Sequence, residues 1–300
     1  TDAFIFACLP VIYFYSTLYF KAKAEDKRPI AALLTIFAVV ILFWAVFKQN
    51  GTALTTWADR YTDREISNPI AKSTFSNLSL SQNIPYQKDS VALYDDAFRL
   101  QKIDGIVQKE FNYPSYYKNV APEKLPQEGG NVELWATNIS QSINPAWVIL
   151  LTPLIVAFFT WLRGRGKEPS TASKIIFVIF ISAISVLVMV AAVYAGSNGS
   201  EKVSVLWLIA SYGVITIGEL FLSPMGLSLV SKLSPVRITS LMMGGWFLAT
   251  SIGNKLSGVL STLWDTYENK ANFFWVNFSL LLGSAIMGFI LLKWLNGIMK

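Results

Sequence analysis

Residues 204–230 read SVLWLIASYGVITIGELFLSPMGLSLV, and one charged side chain, Glu219, interrupts them. At 1.5 Å per residue, a helix of this length crosses a hydrocarbon layer of about 30 Å. Lipid offers no partner to a backbone N–H or C=O, so a spanning segment closes its hydrogen bonds within itself, as a helix does. Six more apolar stretches predict helices in the same way, at about 3–20, 30–57, 144–162, 175–195, 239–263 and 273–297. The stretch 144–162 borrows a few flanking residues to span. The expected class is an all-α membrane protein.

Composition agrees. Of 300 residues, 53% are hydrophobic and 15% charged, and the mean hydropathy is +0.44. A soluble domain carries about a quarter charged residues, so the deficit implies a surface solvated largely by lipid. Ten Trp and twelve Tyr fit anchoring at the two interfaces. The net charge of +6 does not imply a nucleic-acid partner, because the basic residues lie in short loops between apolar runs. The chain has no histidine, which excludes Ser-His-Asp and Cys-His catalysis and every His-based metal site. Cys8 is the single cysteine, so neither an intrachain disulfide nor a cysteine metal cluster forms. With no clustered catalytic set, the chain is not expected to be an enzyme, and no metal site is expected. The run 3–20 begins without an initiator Met or a basic leader. That argues against a signal peptide and for a chain that starts partway through a longer protein.

Loop charge sets the expected orientation. Lys21, Lys23, Lys27 and Arg28 fall on one side with Arg163, Arg165, Lys167, Lys174, Lys232 and Arg237. The opposite short loops carry Lys202 and Lys270, each near an acid, Glu201 and Glu268. The basic side is expected to be cytoplasmic, which leaves the first residues outside and Lys300 inside. Residues 59–142 form a long polar connection on the outer side, within which 91–109 reads as one or two amphipathic helices. Its apolar members there are Leu93, Phe98, Leu100, Ile103 and Val107. Asn-x-Ser sequons at Asn77, Asn138 and Asn198 read as chance matches.

Ionisable groups at membrane depth cost several kcal/mol unless paired or facing a cavity, so each is a functional lead. Glu219 lies near the middle of its helix, with Ser223 one turn later on the same face and Thr216 and Tyr212 on or near it. Pro224 removes a backbone hydrogen bond just below Glu219, which fits either a gate or a static bend. Lys48 is the one charged residue between Arg28 and Asp59; it either faces a cavity or snorkels outward. In 239–263, Gly245, Ala249, Gly253, Ser257 and Ser261 recur every four residues, a ridge for close helix packing. Trp246, Thr250 and Asn254 form the adjacent stripe, and Trp246 either lines a pocket or packs.

Three segments together resemble the proton-dependent oligopeptide transporter family of the major facilitator superfamily. They are Phe43-Trp44 with Phe47-Lys48-Gln49, then Ser142-Ile143-Asn144-Pro145, then Gly218-Glu219-Leu220 through Ser223-Pro224 with Gly245-Trp246-Phe247. The resemblance covers nearly the whole chain and implies the C-terminal six-helix half of a major facilitator fold. Residues 1–20 are then an accessory transmembrane helix, 30–57 the first core helix, 59–142 an extracytoplasmic loop, and 143–300 the other five core helices. It also implies proton-coupled symport of di- and tripeptides across the inner (cytoplasmic) membrane, with protons as the coupling ion and no other cofactor. Glu219 would hold the peptide's amino terminus, Asn144 and Ser223 would contact its polar groups, and Trp246 would wall a side-chain pocket. Lys48, Gln49 and Pro224 would act in coupling or gating. Peptide-transporting members usually carry an acid where Lys48 stands, which puts the coupling scheme in doubt. The implied partners are small peptides, the lipid bilayer and a missing N-terminal half. The alternatives are a family member that carries another small solute, such as a nitrate-like anion, or a non-transporting membrane interaction protein.

Overall fold

Hydrogen bonding within each apolar segment, forced by the absence of water in hydrocarbon, accounts for most of what the chain does. The computed structural model describes residues 2–93 and 101–298. Helix α1 (Asp2–Phe20) is followed by α2 (Ala24–Phe47), a single tight turn over Lys48–Gly51, and α3 (Ala53–Arg60). After an outer module that includes α4 (Pro69–Asn77) come α5 (Ile139–Gly164), α6 (Thr171–Ala195), α7 (Leu206–Leu233) and α8 (Thr239–Ser261). The short α9 (Leu263–Thr266) and the long α10 (Lys270–Ile298) complete the chain. The expected helix at 30–57 therefore starts earlier and breaks at Lys48, and that at 144–162 borrows flanking residues at both ends. Among the described residues, five helices are long and apolar enough to cross a membrane: Ala24–Arg60, α5, α6, α7 and α10. Helix α8 falls short of that because its packing ridge and polar stripe lower its hydropathy.

The helices pack by close approach rather than by apolar bulk alone, since lipid tails are as apolar as leucine. Helix α6 lies between α7 and α10, and α2 lies against α8 and α10. Gly245, Ala249, Gly253 and Ser257 are buried, with Gly245 against Phe37 and Gly253 against Trp44 of α2, so the ridge serves packing. Side chains donate across the helix pairs to backbone carbonyls: Ser284 Oγ to Val39 O, Ser211 Oγ to Ser185 O, and Gln49 Nε2 to Ser257 O. Tyr15 of α1 donates to Leu241 O of α8. The basic loops gather at one end, where Arg237 pairs with Asp26 and Ser170 bonds Asn296.

At the opposite end the outer module is stitched to the bundle. Thr62 bridges Val203 in parallel, while β1 (Ser81–Pro85) pairs antiparallel with β6 (Asn131–Trp135) around a small core of Tyr116, Tyr117 and Leu134. The amphipathic helix expected over 91–109 does not form where the chain is described. Asp89–Ala92 (β2) pairs with Lys109–Asn112 (β5), and Lys102–Ile103 (β3) with Ile106–Val107 (β4). Asp104 and Gly105 take φ of 51° and 80° between β3 and β4. An Asp-Gly pair with both φ positive closes a tight hairpin, and this local signal outweighs the helical spacing. Phe98 and Leu100 lie outside the described residues. Arg64, 1% exposed, donates to Trp135 O and to Asp59 Oδ1, both at 2.9 Å. Thr137 Oγ1 also donates to that oxygen, so one carboxylate ties α3, β6 and the approach to α5 together.

Two expectations follow from this packing. A Cβ at Gly253 would sit 2.5 Å from Trp44 Cβ and 2.8 Å from Ile41 O. Gly253→Ala should therefore lower the melting temperature in detergent, at an overpacking cost of about 1–3 kcal/mol that exceeds the gain of about 1 kcal/mol in helix propensity. Gly258→Ala, which meets open space, should not lower it. The second expectation concerns Lys202, whose Nζ donates to Arg60 O at 2.9 Å and lies 4.1 Å from the centre of the Tyr116 ring. Burial, helped by the Arg64 charge, pushes this ammonium from 10.5 down to about 8, against the pull of Asp59 and Asp63. The folded state then binds fewer protons than the unfolded one between those values, so stability rises with pH from about 8 toward 10.5. Proteolysis of the outer module should slow between pH 7.5 and 9.5, and Lys202→Met should flatten that dependence.

Candidate functional site

Helix α5 stands apart from its neighbours. None of its most apolar stretch is buried within the chain, and it leans chiefly on α7. Two side chains one turn apart make the polar part of that contact, and Phe159 meets Phe221 edge-on at 4.9 Å further along. Trp147 Nε1 donates to Ile209 O at 2.9 Å, and its ring lies over Gly213, where a Cβ would come within 3.0 Å. The Asn144 amide donates both to Thr216 Oγ1 and to Glu219 Oε2, each at 2.9 Å. Thr216 in turn donates to Tyr212 O, and the Tyr212 hydroxyl reaches Asn50 O. A polar chain thus runs from the break after α2, along α7, to α5.

Glu219 is half-buried, and Asn144 orients one of its oxygens. Among the described residues its other oxygen, Oε1, accepts no hydrogen bond. A carboxylate held in this way, at membrane depth and partly desolvated, favours a cationic partner such as an ammonium. The neighbouring Gly218 lets this stretch of α7 approach Ser182 of α6 and Phe43 of α2 closely.

The remaining sequence-based candidates sort by position. Lys48 is half-buried in the turn after α2, with its Nζ 5.6 Å from the ring centres of both Trp44 and Phe47. No ion pair joins it to Glu219 among the described residues. Gln49, 3% exposed, spends its amide on Ser257 O and accepts from Thr52 Oγ1, so it pins the break to α8. Helix α7 runs through Pro224 to Leu233, and Pro224 leaves the Leu220 carbonyl without its helical donor. The side chain of Ser223 lies outside the described residues. Trp246 departs from the expected pocket wall: it is 2% exposed, fills the space over Gly226 and meets Phe37 edge-on at 6.2 Å. An indole that fits against a bare glycine backbone gains more by packing there than by facing a cavity. Sequence reasoning missed Trp147, although its spacing of three from Asn144 places both on one helical face.

A sequence profile described as the POT family matches residues 128–276. The chain is 36% identical over 238 residues to dipeptide and tripeptide permease A of Salmonella typhimurium, covering 77% of this chain and 44% of that protein. It is 25% identical over 284 residues to the uncharacterized transporter YclF of Bacillus subtilis, covering 93% of this chain and 43% of that one. The chain thus spans less than half the length of these curated relatives. Among solved structures, it matches a peptide transporter POT in complex with sulfate at a TM-score of 0.67 and 20% identity, over 99% of this chain and 47% of that one. A POT family transporter in complex with 5-aminolevulinic acid matches at 0.64 and 20% identity, over 100% of this chain and 48% of that one. Family match, relatives and shared architecture converge: the chain is similar to the POT family, its profile matching nearly half of the residues, and it has the fold of the C-terminal six-helix half of a major facilitator transporter with one helix before it.

Proposed function

We propose that this chain supplies the C-terminal half of the cavity of a proton-coupled symporter for di- and tripeptides. The observation that carries the reading is the Glu219 carboxylate, held on one oxygen by Asn144 and open on the other. An amino terminus docked there makes a charge-assisted contact, worth about 1.5–3 kcal/mol net. Asn144 and Ser223 contact the peptide's polar groups, and Trp246 holds α8 against α7 behind them. The names of the relatives, among them a dipeptide and tripeptide permease, support the substrate class. The uncovered apolar face of α5 supports a partner, the N-terminal six-helix half, with the bilayer around both. The basic end faces the cytoplasm, so the first residues of this chain lie outside and its last residues inside the inner membrane.

Transport then follows the rocking of two halves about a midplane site. Lys48 and Gln49, at the break between α2 and α3, and Pro224, below Glu219, are the points where this half bends or responds to charge. Lys48 also favours a second reading. A cation without an ion pair among the described residues suits an anionic solute, and such a carrier would not need Glu219 to hold an amine.

The test is uptake of labelled dialanine into proteoliposomes under an inward proton gradient, with the complete transporter containing both halves. Gradient-driven uptake is expected, and Glu219→Gln should weaken peptide affinity by roughly ten- to a hundredfold. Absence of peptide uptake by folded protein, with uptake of a small anion instead, would transfer the assignment to the second reading. Lys48→Ala is expected to shift the pH dependence of uptake. A pH profile identical to that of the unmodified protein would remove Lys48 from the coupling scheme.

A further inference from the structure

Beside the contact of α5 with α7, an open groove lies between α5 and α6, with α7 and α10 also contributing to its lining. The groove has a volume of about 630 Å³, within the range of roughly 300–1,000 Å³ typical of ligand sites. Leu154, Phe158, Phe177, Ile181, Ile217 and Phe289 represent its lining, which is apolar along nearly its whole length. The exception is one end, where Lys174 lines the mouth. The Lys174 side chain is 10% exposed, and its Nζ lies 4.6 Å from the centre of the Phe159 ring. It pairs with Glu168, which also accepts from Arg163 at 2.9 Å. Residues 163–174 hold four cations, Arg163, Arg165, Lys167 and Lys174, and one acid, Glu168, for a net charge of +3. Arg165 stacks on Trp161 at 4.1 Å, the kind of aromatic anchor found at a membrane interface.

An occupant of this groove must be apolar along its body and anionic at one end. We infer that the groove binds one anionic phospholipid, with an acyl chain between α5 and α6 and its phosphate at Lys174 and Arg163. Annular lipid coats convex helix faces without preference; this groove is concave and closes at one end on cations, so it selects by both shape and charge. Glu168 offsets a single positive charge and leaves the phosphate a net attraction. A lipid seated there fills the space beside the helix that carries Asn144, so its occupancy bears on how firmly α5 holds against α7. The inference rests on the membrane-spanning fold and not on which solute is carried.

Native mass spectrometry of the complete transporter in mild detergent tests it. Delipidated protein should rebind one phosphatidylglycerol in preference to phosphatidylcholine. Lys174→Gln and Arg163→Gln should each weaken that binding about fivefold. Ile181→Trp, which fills the groove and leaves every charge in place, should abolish it. Rebinding by Ile181→Trp at the unmodified level would overturn the inference, because attraction to surface charge alone would then suffice. A second measurement does not depend on any variant. Diazirine-labelled phosphatidylglycerol in membranes should form adducts concentrated in residues 151–162 and 173–181. Adducts spread evenly over the lipid-facing helices would also overturn the inference, as would none in those two segments because another part of the protein lies there.

Discussion

Hydrocarbon supplies no hydrogen bonds, and nearly every feature of this chain answers that constraint. Backbone groups close on themselves as helices, and the polar side chains that remain in the bundle turn to carbonyls of neighbouring helices. Ser284, Ser211 and Gln49 each donate across a helix pair in this way. Because burial against lipid yields little, contact depends on how near two backbones come, which is why α8 meets α2 through glycine, alanine and serine.

The same constraint explains why α5 and Glu219 belong together. A carboxyl group within a membrane helix needs polar company, and α5 provides it through Asn144, while Trp147 and Phe159 also hold α5 to α7. Asn144, near the start of α5, belongs to the candidate site, and the later turns of α5 line the groove with α6, α7 and α10.

The module between α3 and α5 is built differently, from a polar stretch of sequence. Short strands, an Asp-Gly hairpin and a tyrosine core replace helices there, and a buried arginine shared between Trp135 and Asp59 anchors it to the bundle. This module joins α3 to α5 and also contacts the loop before α7, so it links the helices that carry the polar chain around Glu219.

The amino-acid sequence by itself determined the helical membrane class, the long apolar helices and the packing ridge of α8, and it singled out Glu219 as the one charge that interrupts residues 204–230. Those properties follow from hydropathy, from period-four spacing and from the cost of an isolated charge in lipid, all of which are local. Only the tertiary structure decided that Trp246 packs on Gly226, that Lys48 lies over two aromatic rings without pairing to Glu219, and that 101–112 forms strands. It also decided that Trp147, with Asn144 and the Phe159–Phe221 ring pair, holds α5 to α7. These outcomes depend on which surface a neighbouring helix offers, a glycine gap or an open carbonyl, and no spacing within a single helix records its neighbour's shape.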